Sequence, residues 1–277
     1  MQIKTPNKLS SGFTLIEGLI VLVVSGILII ILAQFFKNFN KSFNLQEQVA
    51  DRDLNGQYAI RRLSETLMAA GANLPNNGWP VLELPIGNPG TKLKVSINPR
   101  GAIEYATSDI VNTNEIPISD PKGFAKATSI LIQSTNPATP IATRNIDLSY
   151  KAGGFNAGIK AVPPESLAVN PTLRSYLRLT APVTIGIGDV IYAHAVEVYS
   201  LQNHNLMLDS SVLAENFDTL TFSLFTSAKT LTSTWADMRS ANINVKARTR
   251  NPDPSYKINS GYRTLPLSMD ILLRNKL

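Results

Sequence analysis

The feature that most constrains this chain is a long apolar run near its N-terminus. From Gly18 to Phe36 there are nineteen residues without a charge, and the next charge is Lys37. A helix of that length spans roughly 28 Å, close to the hydrocarbon thickness of a bilayer. A secretory signal peptide has a shorter apolar region and a small-residue cleavage site, whereas this run ends in AQFFKNFNKSF. The run therefore predicts a membrane-spanning helix, with a plain membrane anchor as an open alternative.

A single carboxylate, Glu17, directly precedes this run. A charge costs on the order of 2.5 to 3.5 kcal/mol at the centre of a bilayer and less near its edge, so a plain anchor gives no reason for it. Cleavage between Gly12 and Phe13 would create an α-amino group, which is largely cationic at neutral pH. Glu17 is one helical turn from that amine and could pair with the amine of a neighbouring subunit. The sequence thus predicts that this charge serves assembly.

The N-terminal motif resembles that of a known family. A short basic leader, MQIKTPNKLSSG, is followed by FTLIE and then by the apolar run. This order resembles the class III signal of type IV pilins and pseudopilins. The resemblance implies that a prepilin peptidase cleaves after Gly12 and that the new N-terminal residue, Phe13, is methylated. It also implies that Glu17 acts in assembly by setting the register of subunits in a filament.

The helical pattern continues beyond the apolar run. There is no proline between Lys37 and Ala70, nor at Gln34, where many major pilins carry one. Spacings of three and four residues predict one apolar helical stripe, formed by Gly56, Ile60, Leu63, Leu67 and Ala70. Gly71, followed by Pro75, indicates the end of the helix. We expect this stripe to cover the core of a following domain.

After Gly71 the sequence changes to short β-like runs separated by Pro, Gly and Asn. The predicted strands are LKVSI, SILIQ, IDLSY, LRLTAPVTI, DVIYAHAVEVYSL, LTFSLF, INVKART and LSMDILL. They predict an α+β fold in which the long N-terminal helix packs on an antiparallel sheet. The expected organisation is a leader at 1–12, a transmembrane or filament-core helix at 13–36, an amphipathic half-helix at 37–71 and a β-rich periplasmic head at 72–277.

The distal half carries a softer resemblance. RRLSETLMAAGANL, GIGDVIYAHAVEVYSL, VLAENFDTLTFSLF, Trp235, ANINVKARTR and SMDILLRN follow an order similar to that of PilW-type minor pilins and of J-type minor pseudopilins of type II secretion. This resemblance implies a minor pilin at the tip of a type IV pilus, which helps to initiate assembly for motility, adhesion or DNA uptake. The alternatives are a minor secretion pseudopilin and, from another class, a membrane-anchored periplasmic binding domain.

The resemblance also implies partners and a location. The partners are prepilin peptidase, other minor and major pilins, the inner-membrane assembly platform and, before assembly, the lipid membrane. The chain would cross the inner membrane once with a periplasmic head, and would then enter an extracellular pilus or a periplasmic pseudopilus.

No recognisable catalytic or cofactor motif is present. The chain has no cysteine, which excludes disulfides and thiolate chemistry. Its histidines, His194 and His204, lack metal-ligand spacing, and GIGD at 186–189 predicts a tight turn rather than a nucleotide loop. The spacing of Asp109, Asp120 and Asp147 does not resemble a calcium loop. We therefore expect a non-enzymatic protein without a cofactor or a metal.

One cluster of cations is a candidate surface for an acidic partner. Lys246, Arg248 and Arg250 alternate along a predicted strand, which places them on one face, although a solvated face would give the same pattern. The net charge of +6 is modest and scattered, so it does not favour nucleic-acid binding.

Overall fold

The computed structural model describes residues 14–75, 79–150, 158–160 and 175–273. Within these residues a single α-helix, α1 (Leu15–Ala69), precedes fourteen strands and two short 3-10 helices, Trp235–Asp237 and Asn259–Gly261. The strands are β1 (Leu82–Glu83), β2 (Lys92–Ile97), β3 (Ile103–Tyr105), β4 (Ile110–Ile118), β5 (Ser129–Gln133), β6 (Ala142–Asn145), β7 (Ile159–Lys160), β8 (Ser175–Ile185), β9 (Val190–Gln202), β10 (Asn205–Leu208), β11 (Ser211–Glu215), β12 (Phe217–Phe225), β13 (Ser240–Arg248) and β14 (Thr264–Leu272). This is the predicted α+β fold, with antiparallel pairing throughout these strands.

The chain divides into two units, residues 1–51 and residues 52–277. In the described part of the first unit, nearly every side chain of α1 is exposed. In the second unit the rest of α1 packs on strands, and all five residues of the predicted apolar stripe are buried. Gly56 lies close to the sheet, because a Cβ there would be 2.7 Å from Leu267 Cδ1. The predicted stripe is therefore the face that covers the core.

The end of α1 also follows the sequence. Ala69 is its last residue, and Gly71 takes a left-handed conformation with φ of +76°. The Gly71 N–H donates to Ser96 O of β2 at 3.3 Å, so the chain leaves the helix attached to the sheet. A side chain at this position would be strained by the positive φ and would also press against Val81, 3.1 Å away. Glycine thus both ends the helix and allows this close approach.

Strand β9 is the centre of the largest sheet. Along one edge it pairs with β2 and β3, and along the other with β5 and β10, and the sheet continues to β1, β6 and β11. Two smaller sheets flank it, with strand orders β12-β13-β14 and β4-β8-β7. The thirteen residues of β9 therefore connect most of the head.

The buried apolar residues form two separate cores. The first lies between α1, β12–β14 and parts of the large sheet, and contains Leu63, Tyr199, Phe222 and Ile243. The second lies between the sheet of β4, β7 and β8 and the end of the large sheet that contains β3, β5 and β6. Its members all fall within residues 102–193. The core that the predicted stripe of α1 covers is thus one of two.

One predicted strand is wrong. IDLSY, at 146–150, forms only an isolated bridge from Ile146 to Leu179 and then turns. The reason is Asp147, whose carboxylate accepts a hydrogen bond from the Ser149 N–H at 3.1 Å and stabilises a turn. Strand β4 was not predicted, because IVNTNEIPI carries polar residues and a proline in an irregular strand.

Candidate functional site

The described chain opens on a reciprocal cap at the start of α1. Thr14 precedes the helix, and its N–H and Oγ1 both donate to Glu17 Oε2 at 2.9 Å. In return, the Glu17 N–H donates to Thr14 Oγ1 at 3.3 Å. Thr-x-x-Glu with these bonds is a capping box, which satisfies two backbone donors that the first helical turn leaves free. Glu17 therefore has a role within its own chain.

This capping role is the functional detail that the sequence analysis missed. The signal was present, because Thr14 and Glu17 have the spacing of a capping box directly before an apolar run. The cap uses only Oε2, and among the described residues Oε1 has no partner. An oxygen of the Glu17 carboxylate thus remains available to a group from outside the chain. The predicted processing residues, Gly12 and Phe13, lie outside the described residues.

The helix that carries Glu17 presents a continuous apolar surface. Every large apolar side chain from Leu15 to Phe36 is at least 50 % exposed. This is the one helix in the described part of the chain that is long and apolar enough to cross a membrane. Such a surface is stable only against lipid or against other apolar helices.

A buried polar contact fixes α1 to the large sheet within the second unit. The Tyr199 hydroxyl, fully buried on β9, lies 2.8 Å from Thr66 Oγ1 on the helix and donates to Glu197 Oε2 at 2.6 Å. Arg62 on the helix approaches the same carboxylate at 3.6 Å. Burial, together with the hydrogen bond to Glu197, raises the pKa of the Tyr199 hydroxyl, so the phenol stays protonated. This network joins helix and sheet at a defined position.

The three predicted cations, here called the basic strand end, are placed differently from one another. Lys246 Nζ and Arg248 Nη1 both approach Asp218 of β12, at 3.7 and 3.5 Å. The Arg248 guanidinium also stacks on the Tyr262 ring, 4.4 Å from its centroid. Arg250 follows the end of β13, so strand alternation does not fix its direction, and it is exposed. The structure thus places Lys246 and Arg248 together around one carboxylate.

His194 is buried within the large sheet, whereas His204 is exposed in the turn between β9 and β10. His194 is 3 % exposed, its Nδ1 lies 2.7 Å from Ser129 Oγ, and its ring packs edge-on against Trp79. Its Nε2 is buried without a hydrogen-bond partner. Burial lowers the pKa of His194 to about 4, so the ring is neutral at physiological pH. His204 Nδ1 lies 3.0 Å from the Phe217 carbonyl oxygen.

The acidic candidates accept hydrogen bonds from nearby backbone. Asp109 accepts from the Ile187 N–H, Asp120 from the Gly123 N–H and Asp147 from the Ser149 N–H. Across the described residues, no group of three His, Asp or Glu side chains is arranged to hold a metal ion. The segment at 186–189 is a tight turn, in which the Asp189 carboxylate accepts from the Gly186 N–H at 2.9 Å.

The comparisons with known proteins agree with the N-terminal geometry. Residues 7–33 match the family described as the prokaryotic N-terminal methylation motif. No curated protein and no solved structure matches the chain. The motif is that of a structural class of proteins, and it implies processing by prepilin peptidase and assembly with other pilins. Its match, together with the exposed apolar helix that follows Glu17, supports placing this chain in the type IV pilin and pseudopilin family.

Proposed function

We propose that the chain is a PilW-type minor pilin that prepilin peptidase cleaves after Gly12 and that then enters the tip of a type IV pilus. The observation that carries this proposal is the position of the Glu17 carboxylate at the first turn of an exposed apolar helix. The cap uses its Oε2, and among the described residues its Oε1 has no partner. In this proposal residues 1–12 are the leader and residues 13–36 are the transmembrane or filament-core helix. Residues 37–71 form the amphipathic half-helix, and residues 72–277 form the periplasmic head. The head would take part in initiating assembly.

The capping box explains how Glu17 can act on a neighbouring subunit. Thr14 fixes Oε2, so the carboxylate does not have to be ordered when a partner arrives. Cleavage at Phe13 would place a cationic amine at the start of each subunit. The unused Oε1 of one subunit would then accept a hydrogen bond from the amine of the next. A charge-assisted hydrogen bond in an apolar surrounding is both strong and directional, which suits it to setting register.

The apolar surface gives a route from membrane to filament. Before assembly, side chains from Leu15 to Phe36 contact lipid, and afterwards they contact neighbouring helices. Extraction exchanges one apolar environment for another, so its cost is modest.

Mass spectrometry of the N-terminal peptide tests the processing step. The protein is isolated from its native membrane in a strain with active prepilin peptidase. The proposal predicts a peptide that begins at Phe13 and carries one added methyl group. An intact Met1 terminus would reject it and would favour a membrane-anchored periplasmic binding domain.

Two single substitutions separate the assembly role of Glu17 from its capping role. Glu17→Gln keeps an oxygen that can accept from Thr14 but removes the charge, whereas Thr14→Ala removes the hydroxyl of the cap and keeps the carboxylate. We expect Glu17→Gln to be inserted and cleaved but poorly incorporated into filaments, and Thr14→Ala to be incorporated. Quantitative blotting of sheared filaments against total membranes measures this. If Glu17→Gln were incorporated normally and Thr14→Ala were not, Glu17 would act only as a cap.

Deletion of the gene distinguishes a pilus from a secretion filament, which the N-terminal motif alone does not. Loss of surface pili with normal exoprotein release would support the PilW-type assignment. Blocked release with normal pili would support the J-type pseudopilin alternative.

A further inference from the structure

The strand at one end of the β12-β13-β14 sheet has a regular edge that no other described strand covers. β14 pairs with β13 over all nine of its residues, from Thr264 opposite Arg248 to Leu272 opposite Ser240, without a register shift. It is the terminal strand of its sheet. A long, regular edge leaves a row of backbone donors and acceptors that can template another strand.

The flanking hydrogen bonds show which backbone groups face outward. The Thr249 N–H donates to Arg263 O at 2.9 Å, and the Leu273 N–H donates to Arg239 O at 3.0 Å. Bonded and non-bonded pairs alternate in an antiparallel ladder, so the odd-numbered residues of β14 bond to β13. The even-numbered residues therefore direct their N–H and C=O groups away from the sheet. Pro266, which has no N–H to donate, occupies one of these outward positions.

The opposite edge of the same sheet is closed. On β12, Phe222 exchanges two backbone hydrogen bonds with Gly90, at 2.8 and 2.9 Å. The Leu224 carbonyl accepts from Asn88 Nδ2 at 2.9 Å, and the Leu224 N–H donates to Asn88 Oδ1 at 3.1 Å. Among the described residues the outward backbone groups of Ser268, Asp270 and Leu272 have no such partners. Within the described part of the head, one edge of this sheet is therefore closed and the other is open.

The remaining terminal strands are poorer templates. β11 has five residues and a bulge in its pairing, and β4 has two register irregularities. β1 and β7 have two residues each, β3 has three and β6 has four. Short or irregular edges are the usual protection against strand addition. The only features of β14 that would hinder strand addition are Pro266, near one end, and the charge of Asp270. The stretch 267–272 is therefore the most regular open edge of the described head.

The side chains of β14 indicate what would bind there. On its inner face Leu265 and Leu267 are only half-buried and Met269 is 39 % exposed, while Ile271 is buried. On its outer face Ser268 and Asp270 are exposed and accept hydrogen bonds from Asn242 Nδ2, at 3.2 and 2.6 Å. An added strand would therefore carry apolar residues at alternate positions, continuing the partly covered inner face, and polar or basic residues beside Asp270.

We propose that β14 is a strand-addition site for an extended, alternately apolar segment of a neighbouring pilin subunit. The new strand would take up the outward N–H and C=O groups of residues 268, 270 and 272. This inference rests on the proposed function, because it places the partner in the same filament.

A proline substitution at an outward position tests the site directly. Ser268→Pro removes an outward N–H and fills the edge with a ring, but it breaks no bond to β13, as Pro266 already shows. Ser268→Ala is the matched control, since it loses the same hydroxyl and keeps the outward N–H. We expect both variants to be processed at Phe13 and to melt within a few degrees of wild type. Incorporation of Ser268→Pro into filaments should fall by about tenfold, while that of Ser268→Ala should be unchanged.

Hydrogen exchange on the unmodified protein gives a second, independent test. Amides at 268, 270 and 272 are compared with those at 267, 269 and 271, in the mature subunit in detergent and in isolated filaments. The proposal predicts that the odd-numbered amides are protected in both states and that the even-numbered ones become at least about tenfold slower only in filaments.

Four results would overturn the inference. Equal incorporation of the two Ser268 variants, or fast exchange of the even-numbered amides in filaments, would exclude strand addition while leaving the pilin assignment intact. Concentration-dependent protection of these amides in the isolated subunit would identify a second copy of this chain as the occupant instead. Absence of the wild-type chain from every filament would reject the proposed function, and this inference would fall with it.

Discussion

Acidification should destabilise the head through one buried histidine. His194 is enclosed by Ser129 and Trp79, and burial lowers its pKa to about 4 from an ordinary 6.5. In the unfolded chain the ring regains the ordinary value, so the unfolded state binds more protons between these two values. The stability contributed by the neutral ring is therefore fully present above pH 6.5 and is lost as the pH falls towards 4.

The size of this loss of stability follows from the difference between the folded and unfolded pKa values of His194. A difference of about 2.5 pKa units corresponds to roughly 3 kcal/mol when the loss is complete. Linkage gives a loss of about 2 kcal/mol between pH 7.5 and pH 5.0, a range in which ordinary carboxylates remain mostly ionised. This is a large part of the 5 to 15 kcal/mol typical of a folded domain. The change should thus be measurable by ordinary denaturant unfolding.

Urea unfolding of the full mature chain in detergent micelles provides the assay, with Trp fluorescence as the signal. Trp79 contacts His194 directly, so its emission reports on the site. His194→Gln should lower the free energy of unfolding at pH 7.5 and should remove most of its dependence on pH. His204→Gln should keep the pH dependence of the wild type. If His194→Gln retains the full wild-type slope between pH 7.5 and 5.0, the reasoning about this ring is wrong.

Two further predictions concern the head. Tyr199→Phe leaves Thr66 and Glu197 without their buried partner, and should destabilise the protein by about 1 to 3 kcal/mol in the same urea assay; an unchanged midpoint would show that the network adds no net stability. The second prediction concerns charge reversal of all three residues of the basic strand end. If that surface binds an acidic partner, the reversal should reduce the retention of DNA or of an acidic polymer on filaments. Since Asp218 already partners two of these cations, we expect a reduction of no more than about twofold, and a loss of tenfold or more would identify a dedicated site.

Features with a local physical cause were predictable from the sequence. The buried stripe of α1 follows from helical spacing, and its end follows from the need for a positive φ at Gly71. Most of the later β-like runs became strands because they alternate in polarity between turn residues. The Thr14–Glu17 cap was equally local and could have been recognised from its spacing.

Features that depend on distant partners were not predictable. β4 is stabilised by its pairing with β8, some sixty residues away, despite a polar sequence. IDLSY looks like a strand, yet the hydrogen bond from Ser149 to Asp147 turns the chain. The closed and open edges of the β12-β13-β14 sheet depend on where Asn88 and Gly90 arrive, which no spacing within the strands reveals.

The division of the head into two cores makes the chain modular at the level of its gene. β2 and β9 are neighbours, with Ile97 directly opposite Ala195, so the intervening segment leaves and rejoins the sheet at almost the same point. Every residue of the second core lies inside this segment, and every residue of the first lies outside it. A recombination event that replaces residues 98–194 would exchange the second core and the strands around it as a cassette. Residues of that segment could then diverge while the residues beneath the helix stay under separate constraint.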